Sequence, residues 1–250
     1  MASTSLDKTL NLTNEGLITT VQGEGKYSGI PSIFIRLSGC NLRCQWENQD
    51  GSVTLCDTPF SSHYPEFNPC KLIDLLDKCR LSPVSHVVIT GGEPFMQVNI
   101  DLLIEHLVLM DKHVTVETNG TIFRNTKASF ISISPKLASS CKAGTKSFRS
   151  HNKLRINYNS LSQFTSFYPH QLKFVVNTTD DLEEIDEIVK NLKSEQDNFH
   201  PYSSIYLMPQ GIISEELDKK LGWIIEEAKN RNWNVTDRLQ IRAWGDLRGV

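Results

Sequence analysis

Three of the six cysteines, Cys40, Cys44 and Cys56, lie in one short segment of the chain. Three residues separate the first two, and eleven separate the last two. Three thiolates can hold three irons of a four-iron, four-sulfur cluster, which leaves the fourth iron open to a substrate or cofactor. A structural zinc instead needs four closed ligands, for which His63 is a candidate. A disulfide is the third alternative, which a reducing compartment disfavours.

The composition is that of an ordinary soluble globular protein. The chain has 250 residues, of which 39% are hydrophobic and 22% are charged, and its formal net charge is −3. This charge argues against a large basic face for nucleic acid. No apolar run approaches the length of a membrane span, and the polar amino terminus does not resemble a secretory signal. We therefore expect a cytoplasmic protein that binds neither nucleic acid nor a membrane.

The chemistry-bearing residues must be positioned by strands that alternate with helices. Short β-branched runs, each followed at once by polar or glycine residues, predict strands at Ser32–Leu37, His86–Thr90, Val114–Thr118, Phe130–Ser134, Leu172–Val176, Ser204–Met208 and Leu239–Trp244. Apolar residues at helical spacing predict helices at Pro69–Arg80, Val98–Met110, Thr179–Lys193 and Ser214–Asn230. The polar segment 141–169 shows no clear helical pattern. This alternation predicts an α/β fold with a parallel sheet, either an open, partial barrel or a doubly wound sheet.

Polar and glycine residues follow these strands at the point where each one ends. In both folds, ligands bind at the carboxyl ends of the parallel strands. We therefore expect one site that brings together the residues in these positions, which are Cys40, Gly91, Gly92, Glu93, Glu117, Asn119, Ser134, Lys136 and Gln210.

The motif "GCNLRC" after a strand, followed by "CDTP", resembles the cluster loop of the radical S-adenosylmethionine (SAM) enzymes. The usual spacing of that loop is C-x-x-x-C-x-x-C, so residues 45–55 contain an insertion of nine residues. The chain also contains the motifs "QGEG", "TGGEP", "ETNG" and "SPK" and ends in "QIRAWGDLRGV". Taken together with the cluster loop, this set of motifs resembles the 7-carboxy-7-deazaguanine synthase family. The resemblance extends from about residue 16 to the carboxyl terminus.

The resemblance implies a single radical SAM domain over residues 1–250, with an open parallel β/α barrel and a flexible leader at 1–15. It implies a lyase that converts 6-carboxy-5,6,7,8-tetrahydropterin to 7-carboxy-7-deazaguanine with release of ammonia, in queuosine and deazapurine biosynthesis. The implied cofactors are a 4Fe-4S cluster, SAM and Mg²⁺. The implied partners are the pterin, an electron donor such as flavodoxin or ferredoxin, and a second copy of the chain in a homodimer.

The resemblance also implies a role for individual residues. Cluster ligands are Cys40, Cys44 and Cys56, with Cys70 as a rival for the third, and the magnesium ligand is Thr58. SAM contacts are Gly92, Glu117, Ser134, Pro135, Lys136 and Gln210. Substrate contacts are Val21, Gln22, Gly23, Arg36, Thr90 and the terminal Val250, with Glu24 as a further candidate. Arg36 can bind a carboxylate through two hydrogen bonds, and Gln22 offers both a donor and an acceptor to a pterin edge.

Two other functions stay open at this point. A glycyl-radical activase would share the cluster loop, but it gives no reason for "QGEG" together with Arg36. A zinc-stabilised module that binds RNA or protein without catalysis would contain zinc and no iron. We expect Trp46, Trp223, Trp233 and Trp244 to lie in the core or in an interface, and Cys79 and Cys141 to be buried thiols.

Overall fold

The computed structural model describes residues 6–48, 51–195 and 204–250. The strands are β1 (Thr9–Val21), β2 (Pro31–Leu37), β3 (Gln45–Glu47), β4 (Val53–Leu55), β5 (Asn68–Lys71), β6 (His86–Gly91), β7 (His113–Thr118), β8 (Phe130–Ile133), β9 (His170–Val176), β10 (Ile205–Pro209) and β11 (Asn234–Val235). The α-helices are α1 (Leu72–Leu81), α2 (Ile100–Leu109), α3 (Phe148–Leu154), α4 (Tyr158–Phe167), α5 (Asp180–Glu195), α6 (Ser214–Arg231) and α7 (Leu239–Trp244).

Among the described residues, nine strands form one sheet in the order β5-β1-β2-β6-β7-β8-β9-β10-β11. From β2 to β11 every pair is parallel, whereas β1 pairs antiparallel with both β2 and β5. This order follows the chain without the reversal that defines a doubly wound sheet. Because β5 and β11 are the outer strands, the sheet stays open, and the prediction of a partial barrel is confirmed.

Alternation along the strands separates a core face from a cavity face. Ile89, Val116, Ile133 and Phe174 are fully buried in a core that also contains apolar residues of the helices. The residues between them point to the opposite face and line a cavity; examples are Thr90, Glu117, Ser132 and Lys173. The parallel strands therefore use one face for stability and the other for binding.

Two sequence predictions about elements are wrong, and one segment left without a prediction contains two helices. The run Leu239–Trp244 is the helix α7 and not a strand, because it contains a single β-branched residue and β11 already occupies that edge of the sheet. Segment 141–169 contains α3 and α4. Residues 9–15 of the expected leader belong to β1, where Leu10 and Leu12 are buried against the core. Residues 1–5 lie outside the described residues.

The residues between Cys44 and Cys56 form a short antiparallel hairpin. Strands β3 and β4 pair from Gln45 with Leu55 to Glu47 with Val53, and residues 49–50 lie outside the described residues. The hairpin brings Cys56 back beside Cys44, where Cys56 N donates to Cys44 O at 3.0 Å. Among the described residues, no helix has both the length and the apolar character needed to cross a membrane.

Candidate active site

A cavity of about 450 Å³ lies at the carboxyl ends of the parallel strands, a size typical of small-molecule sites. Almost all residues predicted for the site line it, namely Val21, Gln22, Gly23, Arg36, Cys40, Cys44, Cys56, Thr58, Thr90, Gly92, Glu117, Ser134, Lys136, Gln210 and Val250. Pro135 is buried beside two of them but does not line the cavity. The fold therefore gathers residues that are spread over the whole chain into one place.

The three clustered thiols share one wall of this cavity. Cys44 is buried, and Cys40 and Cys56 are half-buried. Burial raises the pKa of all three thiols, that of Cys40 to about 11. Over the part of the chain that the structure describes, no three acidic, histidine or cysteine side chains converge on one point as a single zinc ion requires. Thiolates of a 4Fe-4S cluster bind separate irons, so this donor set fits the cluster.

The two competing metal ligands are placed elsewhere. His63 Nε2 lies 2.9 Å from the carbonyl oxygen of Cys44, so that nitrogen already has a hydrogen-bond partner. Cys70 lies in the edge strand β5, where it pairs with Leu10, and it does not line the cavity. Cys70 therefore lies outside the candidate site that contains the other three thiols. Cys79 and Cys141 are buried, as predicted.

The glycines of "TGGEP" allow close contact between the end of β6 and the loop that carries Cys40. A Cβ atom on Gly92 would lie 2.0 Å from Gly39 O and 2.7 Å from Ser61 O. Glu93 N also donates to Gly39 O at 2.8 Å. The resemblance implies that Gly92 contacts SAM. In the structure these glycines first let two backbone segments touch, which fixes the cluster loop.

Glu93 is fully buried and holds the turn after β7. Its carboxylate accepts hydrogen bonds from Thr118 Oγ1 at 2.8 Å and Asn119 N at 2.7 Å. Burial raises the pKa of Glu93 to about 7, although these bonds oppose the shift. Asn119 in turn directs Nδ2 towards Cys40 Sγ at 4.0 Å. Glu93 and Asn119, which both follow a strand, thus support the cluster loop.

Glu117 connects the two predicted subsites. Gln22 Nε2 donates to Glu117 Oε1 at 2.9 Å, and Thr90 Oγ1 donates to Glu117 Oε2 at 2.8 Å. Gln22 Oε1 accepts from Glu24 N at 3.1 Å. Glu117, which the sequence assigns to SAM, therefore contacts two residues assigned to the substrate.

A buried charge network beside these residues was missed by the sequence analysis. Glu24 contacts Lys173 Nζ, Arg238 Nε at 3.0 Å and Gln240 Nε2 at 2.7 Å. Burial alone would raise the pKa of Glu24, but the two cations outweigh it and hold that pKa well below its ordinary value. The sequence could have indicated Lys173, because it is a charged residue within a buried strand run. No comparable pattern surrounds Arg238.

The carboxyl-terminal segment 245–250 closes one side of the cavity. Arg248 anchors it through two bonds to Glu66, at 2.9 and 2.6 Å, and through Glu15 at 2.5 Å. The guanidinium also lies 3.7 Å from the ring centroid of Phe60. Val250, two residues further on, also lines the cavity.

Trp46 is a second residue that the sequence analysis did not assign to the site. It is 7% exposed, packs with Leu42 and Cys44, and lines the cavity. Its buried indole Nε1 has no hydrogen-bond partner among the described residues. A buried N–H group without a partner costs free energy, and this one is sealed from solvent, so the contact of Trp46 with the cavity is made by other atoms of its side chain.

Comparisons with known proteins agree with this geometry. Residues 34–221 match the Radical SAM superfamily. The chain is 41% identical over 233 residues to a 7-carboxy-7-deazaguanine synthase of Rhodopirellula baltica, covering 92% of this chain and 85% of that protein. It is 34% identical over 238 residues to the synthase of Halobacterium salinarum, covering 92% and 89%.

Solved structures show the same architecture. QueE from Escherichia coli superimposes with a TM-score of 0.62 at 25% identity, covering 92% of this chain and 94% of that one. SuiB from Streptococcus suis, bound to S-adenosylmethionine, superimposes with a TM-score of 0.52 at 13% identity over 84% of this chain and 51% of that one. The second similarity shows a shared fold alone.

Proposed function

Since the chain belongs to the 7-carboxy-7-deazaguanine synthase family of the radical SAM superfamily, we propose that it converts 6-carboxy-5,6,7,8-tetrahydropterin to 7-carboxy-7-deazaguanine with release of ammonia. Family membership makes the chain a radical SAM enzyme and implies a 4Fe-4S cluster and SAM as its cofactors. It also excludes the non-catalytic zinc module. No feature of the described residues favours a glycyl-radical activase.

The charges around the cavity are the observation that carries the proposal. Lys173 and Arg238 are paired with acids, and so is Arg248. Within the described residues, Arg36 and Lys136 line the cavity without an acidic partner. Two unpaired cations match two carboxylates, one on the pterin and one on the methionine part of SAM. Asp57 interacts with Arg36, and Glu93 with Lys136, only through longer-range electrostatics and without a salt bridge, so neither acid takes the place of a ligand carboxylate.

The chain's own residues bind, orient and shield the reactants. Cys40, Cys44 and Cys56 would hold the cluster, which together with SAM supplies one-electron radical chemistry when bound. Holding the substrate in register with the cofactor accounts for much of the rate, because well-oriented groups reach effective molarities of about 10⁵ M or more. The protein's contribution is therefore positioning.

Substrate recognition is assigned to the loop after β1 and to the residues around it. Arg36 binds the substrate carboxylate, and Gln22 and Thr90 face the pterin ring together with Val21 and Gly23. Glu24 stays ionised beside Lys173 and Arg238, so it accepts hydrogen bonds from ring N–H groups. The terminal carboxylate of Val250 contacts the substrate from the other side. The support for this arrangement is that all these residues line one cavity.

The cofactor side is assigned to Gly92, Glu117, Ser134, Lys136 and Gln210, with Pro135 supporting its two neighbours from the core. Lys136 Nζ donates to Ser134 Oγ at 2.7 Å, which holds the ammonium at the cavity wall.

Thr58 is assigned to Mg²⁺, which prefers oxygen ligands and retains several waters. The Thr58 hydroxyl lies 3.5 Å from Cys56 Sγ, so the magnesium and cluster subsites adjoin.

We extend the proposal to a cytoplasmic homodimer of single-domain chains, reduced by a flavodoxin or a ferredoxin. The matched regions support a single domain, since the family relatives align over 92% of this chain.

The test is anaerobic reconstitution with iron and sulfide, followed by incubation with SAM, a reductant and the carboxypterin. We expect 7-carboxy-7-deazaguanine and ammonia by mass spectrometry and coupled assay. A protein that cleaves SAM but leaves the pterin unchanged would contradict the proposed substrate. It would still agree with membership of the radical SAM superfamily. An Arg36→Met variant should lose substrate turnover and retain its cluster.

A further inference from the structure

Lys220 reaches from α6 to the end of β10 and contacts Gln210. Its Nζ donates to Gln210 Oε1 at 2.7 Å, to the Gln210 carbonyl oxygen at 2.8 Å and to Asn177 Oδ1 at 2.8 Å. An ammonium group has three N–H bonds, so these contacts use all of its donors.

The chemistry of Lys220 decides which way the Gln210 amide points. The two ends of an amide are nearly indistinguishable by shape, and their assignment depends on their partners. A lysine ammonium can donate but cannot accept, so the atom beside Nζ must be the amide oxygen. The opposite orientation would place two donors 2.7 Å apart.

The other end of the amide is left for the cavity. Gln210 is 4% exposed and lines the cavity. In the described part of the chain its Nε2 group has no hydrogen-bond partner, and it is absent from the unpartnered atoms that are sealed from solvent. The cavity therefore meets an N–H donor at this point, not a carbonyl acceptor.

We propose that Lys220 is a positioning residue that locks the amide of Gln210 so that it donates a hydrogen bond to an acceptor on SAM. The acceptor is a ring nitrogen of the adenine or a ribose oxygen, and it is not the exocyclic amine, which only donates. This inference rests on the proposed function, which assigns Gln210 to the SAM subsite. Lys220 itself touches no ligand and acts through Gln210.

Removing the lock should weaken SAM binding without removing the binding site. In a Lys220→Met variant the amide can rotate, and its carbonyl then faces the ligand's acceptor for part of the time. We expect a loss of about three- to tenfold in SAM affinity, the range of a neutral hydrogen bond. Iron content per chain should not change, because the hydrogen bonds of Lys220 go to Gln210 and Asn177 and not to the three cysteines.

The experiment is calorimetric titration of the reconstituted protein with SAM in a double-mutant cycle. The cycle compares the unsubstituted protein, Lys220→Met, Gln210→Ala and the double variant. If Lys220 acts through Gln210, its removal should cost less than about twofold once Gln210 is alanine. An equal loss in both backgrounds would show a general structural role and overturn the inference.

Two further variants test the donor assignment and control for the loss of a lysine. Gln210→Glu retains an oxygen beside Lys220 and loses the N–H donor, so it should bind SAM about three- to tenfold more weakly; affinity equal to that of the unsubstituted protein would overturn the donor assignment. Lys112→Met is the matched control, because Lys112 donates to the carbonyls of Ser82 and Val84 away from the cavity. If the unsubstituted protein fails to bind SAM, the proposed function is contradicted and the inference with it.

Discussion

Arg238 Nε lies 3.0 Å from Glu24 Oε1, which joins the loop after β1 to the segment just before α7. The same guanidinium contacts Asp57, the neighbour of Cys56, and donates to Gly211 O at 2.5 Å. A single buried cation thus connects Glu24 of the proposed substrate site to the cluster loop. A shift of either part is felt by the other, because Nε and Nη2 of one rigid guanidinium bind Glu24 and Asp57 at the same time.

Loss of this cation should destabilise the protein strongly. In an Arg238→Gln variant Glu24 keeps Lys173 but loses its second cation in a buried setting, and breaking such a pair costs about 3–5 kcal/mol. Arg242→Gln is the control, since Arg242 pairs with exposed acids, and such pairs are worth about 0–1 kcal/mol. Denaturant titration measures both, and equal losses would contradict the role given to Arg238.

Gly92→Ala should displace the cluster loop. The new Cβ would meet backbone oxygens at 2.0 and 2.7 Å, which cannot move aside as a flexible side chain can, and we expect a loss of about 1–3 kcal/mol together with reduced iron content. Gly222→Ala is the matched control in α6, where a Cβ meets nothing within 4 Å. It should gain about 0.5–1 kcal/mol. Thermal melts measure the stability of both variants, and iron analysis measures their cluster content. Full iron loading of Gly92→Ala would contradict the expected displacement of the cluster loop.

Arg248→Gln should release the carboxyl-terminal segment from Glu66, Glu15 and Phe60. If the Val250 carboxylate contacts the substrate, KM for the carboxypterin should rise by about three- to tenfold, while iron content and stability stay nearly unchanged. Arg231→Gln, which removes ion pairs with Asp186 and Glu227 outside the cavity lining, should leave KM unaltered. Steady-state kinetics provide the measurement, and an unchanged KM for Arg248→Gln would count against a role for the tail.

His86 occupies the opposite end of the barrel from the cluster. Its Nδ1 lies 2.7 Å from Ser32 Oγ and its Nε2 lies 2.9 Å from Thr115 Oγ1. The rings of Tyr27 and His113 pack beside it, with centroids 5.3 Å away in both cases.

Burial, reinforced by His113 and opposed by Glu117, lowers the pKa of His86 to about 4 from an ordinary 6.5. Below pH 6.5 the unfolded chain takes up a proton that the folded chain refuses, so stability is lost as the pH falls from 6.5 towards 4. Halved for solvent screening, the shift corresponds to about 1 kcal/mol between pH 7 and pH 5. A His86→Gln variant should show a loss smaller by that amount in denaturant titrations at the two pH values. Parallel pH profiles would contradict this.

Much of this site is readable in the sequence because strand ends are readable. Buried runs with period-two alternation place Arg36, Thr90 and Glu117 on one face, and parallel pairing brings their ends together. Motifs after those ends therefore fall in one cavity. The same reasoning fails for β1, whose polar sequence is interrupted at Gly16 and whose register with β2 shifts between Leu12 and Leu17.

The charge network is not readable in the same way. Glu24 is 149 positions from Lys173 and 214 from Arg238. No local pattern announces that these side chains meet, because the contact depends on how the ends of the open barrel approach each other. The amide polarity of Gln210 likewise depends on a lysine from a different layer of the fold. Such tertiary contacts are visible only in the folded structure.

The central claim is that three thiolates, with Cys56 as the third, hold the cluster. Anaerobic reconstitution of Cys56→Ala beside Cys70→Ala, followed by iron and sulfide analysis and a SAM-cleavage assay, tests it most directly. We predict that Cys70→Ala retains about four irons per chain and cleaves SAM, whereas Cys56→Ala binds far less iron and leaves SAM intact. A Cys56→Ala protein with a full cluster and undiminished SAM cleavage would contradict the account.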